Sequence, residues 1–216
     1  DLPIAIGVLA ASGQIKMRKC KLMSLLQSTL FIGELSLDGG LKKTQGILSM
    51  AMKALDEKLV TVFTSSENIA LLHYIDTIAS YGARTLEDIV QVLIKPDSYT
   101  VEDISTNSED KTYSSIDYKD VHGQELSKRA MIIVATGLHH VMMTGPPGAG
   151  KTMLAERLPT ILPDMSWDER LETTRIHDVA GLLEKNTLIS RRPFRGPHHT
   201  ATLASIIGGG SNAKPG

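Results

Sequence analysis

A chain of 216 residues and 23.4 kDa, with 42% apolar, 22% charged and 4% aromatic residues, carries enough apolar material for one or two packed domains and excludes disorder throughout. Its 23 basic and 24 acidic groups leave a formal charge of −1, so the overall balance points to no particular partner. Cys20 is the one cysteine, which rules out an intrachain disulfide and fits a reducing compartment.

The longest apolar stretch, Ile4 to Ala11, is interrupted by Gly7 and falls far short of the roughly 20 residues of a membrane span. No cleavable signal pattern opens the chain, so a cytoplasmic protein with no membrane partner is expected. A start at Asp1 without Met, and the Gly-rich end from Gly208 to Gly216, fit a stretch of a longer polypeptide. Charge divides the chain in three. Residues 1–95 carry 10 basic and 9 acidic groups, 96–117 carry 1 and 6, and 118–216 carry 12 and 9.

In chain order, Pro3 to Ala11 predicts a buried helix stopped by Ser12-Gly13. Leu30 to Leu37 followed by Asp38-Gly39-Gly40 predicts a strand and a turn. Ile47, Leu48, Ala51, Ala54, Leu55 and Leu59 keep helical spacing, and Val60 to Phe63 reads as a short strand. Ser66 is expected to cap a helix over Asn68–Ile75, and Thr85 another over Leu86–Leu93, with Asp88 where a capping box wants an acid. Strands alternating with helices imply a layered α/β or α+β first domain over residues 1–95.

Residues 96–117 are polar, acidic and without period, a linker by composition. A second domain over 118–216 opens with Asp120 to Glu125. A helix is expected from Glu125 to about Gly137, with Ala130, Ile133 and Val134 on one face. His140 to Met143 is expected as a short buried strand running into Gly145.

Gly145-Pro146-Pro147-Gly148-Ala149-Gly150-Lys151-Thr152 satisfies G-x-x-x-x-G-K-[ST] in full. The glycines let the backbone turn so that successive N–H groups form an anion nest. Lys151 supplies a positive charge for the β- and γ-phosphates of ATP, and Thr152 a hydroxyl for Mg²⁺. A helix from Lys151 to about Leu158 turns its positive end toward the phosphates and stops at Pro159. ATP hydrolysis also needs a strand-end carboxylate for Mg²⁺ and one to orient water. Residues 153–216 hold no apolar run ending in Asp or Glu. The Walker B strand is therefore absent from the stretch, which is not expected to hydrolyse ATP by itself. Glu156, Asp164, Asp168, Glu169, Glu172, Asp178 and Glu184 read as solvated surface charges.

From residue 185 onward there are five basic groups, Lys185, Arg191, Arg192, Arg195 and Lys214, and no acidic one. Arg191, Arg192 and Arg195 with Phe194 read equally as a DNA-facing loop, with Phe194 available to stack, or as a surface or subunit-contact loop. A metal site at the adjacent His198 and His199 is disfavoured.

Together, Gly145–Thr152, Ile176-His177-Asp178-Val179-Ala180-Gly181, Arg192 to Thr200 and Gly208 to Asn212 resemble the magnesium-chelatase-like AAA+ ATPases of the YifB/ComM type. Asp120 to Glu125 is similar to the AAA+ segment that packs near the adenine. The resemblance implies an α/β fold in which a truncated Lon-protease-like α+β domain precedes the first part of a P-loop AAA+ domain. Gly33 to Gly39 is similar to the strand-turn of Lon-type domains, and Asp1 to Ala5 to their nucleophile segment. The resemblance places Ile4 at the nucleophilic Ser and Leu48 at its partner Lys, so no Ser–Lys mechanism is possible and the domain is not a peptidase. It further implies an ATP-driven, Mg²⁺-dependent ring, a homo-hexamer, with DNA branch migration in natural transformation as the expected role. The alternatives are a chelatase-type motor subunit acting on a protein partner, or a non-enzymatic scaffold role for the Lon-like block.

Overall fold

Thr61–Ser65 is the most buried strand among the described residues, with four of its five residues inside, as expected of a parallel strand covered on both faces. In the computed structural model, which describes residues 1–95, 116–183 and 186–209, it lies at the centre of a three-stranded parallel sheet. Most of the expected linker, residues 96–115, lies outside the described residues, as do Glu184, Lys185 and residues 210–216 with Ser211, Asn212 and Lys214.

The elements run α1 (Leu2–Ala11), α2 (Lys19–Gln27), β1 (Thr29–Phe31), β2 (Glu34–Leu35), β3 (Leu41–Lys42), α3 (Ile47–Asp56), β4 (Thr61–Ser65), α4 (Ile69–Leu72), β5 (Ala79–Ala83), α5 (Leu86–Ile94), α6 (Glu125–Gly137), α7 (Lys151–Arg157), α8 (Trp167–Val179) and α9 (Leu203–Ile207). The sheet order is β1-β4-β5, while β2 and β3 form a small antiparallel hairpin around Asp38-Gly39. The mixed α/β class expected from the sequence is therefore observed.

Strand alternation sorts the side chains into two cores. On one face, Phe31 and Phe63 pack with Leu2 and Ile6 of α1, Leu22 of α2 and Ile89 and Leu93 of α5. On the other, Val62 and Ile32 pack with Ile47, Leu48 and Ala51 of α3 and Ile69, Leu71 and Leu72 of α4. The register sets Phe31 beside Phe63 and Phe63 beside Tyr81, so their rings stack at centroid distances of 5.3 and 4.9 Å. Gly82 is required in β5: a Cβ there would stand 3.1 Å from both Ser66 Cα and Ile69 Cβ.

Several local expectations hold. Thr85 and Asp88 form a reciprocal capping box on α5. Others are corrected. α1 is helical but not buried throughout: Leu2 and Ile6 are buried in the core and Leu9 and Ala10 pack partly against it, while Ile4 and Val8 face out. Ser66 does not cap α4. Asn68 precedes that helix, and its buried amide instead accepts from Thr44 N–H (2.9 Å) and donates to Thr44 O (2.8 Å). On α6 the buried residues are Met131 and Ala135, whereas Ala130 and Ile133 are exposed. Residues 140–143 form no strand: Val141 and Met142 are exposed, and among the described residues no strand offers partners for their backbone groups.

α8 crosses from the second block to the first. Leu171 of α8, with Leu183 beyond it, packs on the Leu48 core, and Tyr74 meets Trp167 at 6.1 Å between ring centroids. α3 begins at Gly46, which offers no side-chain cap, so its first N–H groups need acceptors from elsewhere. Asp178 supplies one: its Oδ2 accepts from Leu48 N–H at 3.1 Å, and the residue is only 3% exposed. The expectation that Asp178 is a solvated charge is therefore wrong.

Candidate functional site

The phosphate-type loop, residues 145–152, spans an exposed turn and the start of α7. Gly148 (φ +81°) and Gly150 (φ +79°) occupy the left-handed region that side-chain-bearing residues avoid. Gly150 precedes α7 and leaves its N-terminal N–H groups without a side-chain cap. Lys151 Nζ folds over the turn and donates to Gly145 O and Pro146 O, each at 2.8 Å. The Thr152 hydroxyl is exposed and has no hydrogen-bond partner among the described residues.

Uncapped donors, a lysine on a flexible stem and a free hydroxyl make a donor set that fits a polyphosphate with its Mg²⁺. Among the described residues no three His, Cys, Asp or Glu side chains gather as a metal site.

Gln124, within the 120–125 segment set apart by resemblance, buttresses the loop. Its backbone is left-handed (φ +55°), and its Nε2 donates to Ala149 O at 3.3 Å. A Cβ on Gly150 would come within 2.9 Å of that same nitrogen. Behind the loop, Tyr118, Val121, Met131 and Leu154 form a small core.

The basic loop folds against the opposite end of α7. Arg192 is a strut: Nη1 and Nη2 reach Glu169 Oε1 at 3.1 and 3.0 Å, Nη2 reaches Oε2 at 2.9 Å, and Nε donates to Pro163 O at 2.9 Å. The Ser166 backbone N–H, then the Arg192 guanidinium, hold the Glu169 carboxyl below the usual carboxylate range. Glu169 also closes the capping box of α8, so it is no more a free surface charge than Asp178. Arg191, Arg192 and half-exposed Phe194 share a cleft of about 610 Å³ with Asp117, Glu156 and Asp164. Arg195 stands near His177, whose imidazole is pushed below its ordinary value by burial first and by that positive charge second. The structure thus does not bring the basic loop to the phosphate-type turn.

Ile4 and Leu48 are placed very differently. Ile4 is 72% exposed on α1, while Leu48 is 0% exposed at the start of α3. A signal for Asp178 was present, since Leu171, Thr174 and Asp178 lie at i, i+3 and i+7 on one helix face.

Among the described residues no helix is long and apolar enough to cross a membrane. Residues 117–216 match the family model described as magnesium chelatase, subunit ChlI, and residues 1–68 match one described as subunit ChlI of Mg-chelatase. An uncharacterized protein of Mycobacterium tuberculosis is 40% identical over 218 residues, the competence protein ComM of Haemophilus influenzae 36% over 224, and the uncharacterized protein YifB of Escherichia coli 34% over 219. Each alignment takes in 100% of this chain and 41–42% of the relative, so the chain spans less than half the length of the relatives it matches.

Proposed function

The chain belongs to the magnesium-chelatase-like family of ComM and YifB, a family of AAA+ chelatase-like ATPases, and from that premise we propose that it is the nucleotide-binding part of an ATP-driven DNA-remodelling motor. The observation that carries the reading is the uncapped start of α7 behind Gly148 and Gly150, with Lys151 Nζ held over the turn on two carbonyls. Those carbonyl bonds are exchangeable: an ammonium that leaves them for a polyphosphate gains a charge-assisted partner. Lys151 and the loop N–H groups bind and orient the β- and γ-phosphates, and Thr152 is the residue that would hold Mg²⁺, which neutralises charge between those phosphates.

The described carboxylates Glu156, Asp164, Asp168, Glu169, Glu172 and Asp178 sit on α7, on α8 or in the turn between them. None of these six stands at a strand end, so hydrolysis draws its acidic partner from elsewhere in the protein or in a ring of copies. A Lon-protease-like first block and an AAA+ second block, assembled as a hexamer, complete the reading. In it, the first block is proteolytically silent: the Ile4 side chain offers no nucleophile, and the Leu48 side chain offers no amine to serve as its base.

The name of the Haemophilus relative, a competence protein, supports DNA as the substrate. The family description supports a second reading, a chelatase-type motor acting on a partner protein. ATP turnover by the whole protein separates them. Stimulation by DNA that vanishes with Lys151→Ala is expected. Lysine-dependent turnover that ignores DNA would favour the second reading.

A further inference from the structure

From Leu2 to Gly33 the chain contains no acidic residue, and within that run Lys16, Arg18, Lys19 and Lys21 crowd four cations into six positions. All four are exposed, and none forms an ion pair among the described residues. Their backbone is fixed: Ile15 and Leu22 are buried in the α1/α2/α5 core, Met17 packs against it, and Leu22 N–H donates to Arg18 O at 3.0 Å. The charges therefore stand on a rigid rim rather than a floppy tail.

Their placement opposes local stability. Arg18 is the N-cap of α2, Lys19 and Lys21 fall in its first turn with no acid among them, and this end of a helix repels cations. A surface that accepts this arrangement in the free chain is suited to a polyanion.

We infer that Lys16, Arg18, Lys19 and Lys21 form a second nucleic-acid contact, on the first block, which holds the phosphate backbone without reading sequence. The inference rests on the DNA-directed reading above and extends it to a surface separate from the basic loop, because α2 packs on the face of the sheet opposite to α3 and α8. DNA is favoured over an anionic membrane by the outward side of α2, where Cys20, Ser24 and Gln27 accompany the cations and only Met23 is large and apolar. Residues 13–28 contain no aromatic side chain to stack on bases, and four cations suit phosphate contacts, so affinity there is electrostatic and salt-dependent.

The test uses the whole protein, a 40-nucleotide single strand and a 40-base-pair duplex, read by fluorescence anisotropy over a salt series. Replacing all four cations (Lys16→Gln, Arg18→Gln, Lys19→Gln, Lys21→Gln) is expected to weaken binding at least tenfold at about 0.1 M salt. The log–log salt slope should become shallower by about 3, at roughly 0.7–0.9 per lost phosphate contact. Thermal stability without DNA should not fall, since charges repelled by the helix end are removed. The charge-keeping Lys16→Arg, Lys19→Arg, Lys21→Arg variant should bind as the parent does, and DNA should protect these lysines of the unmodified protein from acetylation. Unchanged affinity and slope in the four-fold variant overturn the inference and leave the DNA-directed reading standing. Absence of DNA binding by the unmodified protein at low salt removes both. Binding only to vesicles containing phosphatidylglycerol, lost in the four-fold variant, assigns the patch to a membrane surface and overturns the inference.

Discussion

The parallel-sheet sandwich with α8 docked on it, and the phosphate-type loop with its small supporting core, are built on opposite principles. In the sandwich, β4 is buried on both faces, two apolar clusters hold the helices, and even an orphan helix end finds a buried carboxylate from a distant segment. Around the loop, four buried residues form the core, Val141 and Met142 face solvent, and a lysine is parked on carbonyls. The difference teaches where each region keeps its free energy. The sandwich uses its donors and acceptors on itself, whereas the start of α7 has no side-chain cap and the Thr152 hydroxyl has no partner among the described residues.

Substitutions should sort along that divide. The largest effect belongs to Leu48→Lys. Its ammonium would enter a site with 0% exposure among apolar side chains, with the Asp178 carboxylate already committed to the backbone N–H of residue 48, costing about 4 kcal/mol or more. Urea unfolding of the sandwich checks this; a near-parental midpoint would mean that the site is more open than described. Asp178→Ala leaves the N–H of Leu48 buried without an acceptor and should cost about 1–3 kcal/mol. Amide exchange at Leu48 should quicken, and Asp178→Asn, which keeps an acceptor oxygen, should restore part of the protection.

Gly150→Ala sharpens the comparison from the other side. Left-handed backbone at an alanine costs about 1–2 kcal/mol, and the new methyl would crowd Gln124 Nε2. Nucleotide affinity should drop roughly tenfold while the sandwich's unfolding midpoint stays in place. A midpoint that moves as far as the affinity would show the two regions to be one cooperative unit.

The smallest effect is a pH dependence. The folded-state value of His177 lies below its ordinary 6.5, so between the two values the unfolded chain binds more protons. Stability is whole above pH 6.5 and is lost as pH falls from there through the folded-state value. His177→Gln should flatten that limb of a urea-midpoint profile and leave the rest unchanged.

What the sequence showed in advance follows the same divide. Amphipathic helices such as α3 and α5, and the octet at 145–152, are legible because each is a local pattern: a spacing, a capping box, a glycine series. β5 was not, since Ala79-Ser-Tyr-Gly-Ala has neither alternation nor β-branched residues and becomes a strand through its register with β4. α2 escaped because its polar, cationic face hides the apolar one. Arg192, grouped with Arg191, Phe194 and Arg195 by composition, turns out to be a strut because its partner Glu169 lies 23 residues away, a distance no local window spans. The octet at 145–152 and the segment at 120–125 were legible as motifs, but the bond from Gln124 to Ala149 was not. Gln124 has no chemistry of its own to announce and matters only through a backbone that comes to it.

In the proposed function, the turn from Gly145 to Thr152 takes up a triphosphate through its main-chain donors and Lys151. Isothermal titration calorimetry of the whole protein with Mg²⁺ and a non-hydrolysable ATP analogue tests it most directly. Saturable heat is expected with the parent protein and none with Lys151→Ala, both proteins unfolding at the same urea concentration. Equal heat from the two proteins, or no heat from either, would contradict it.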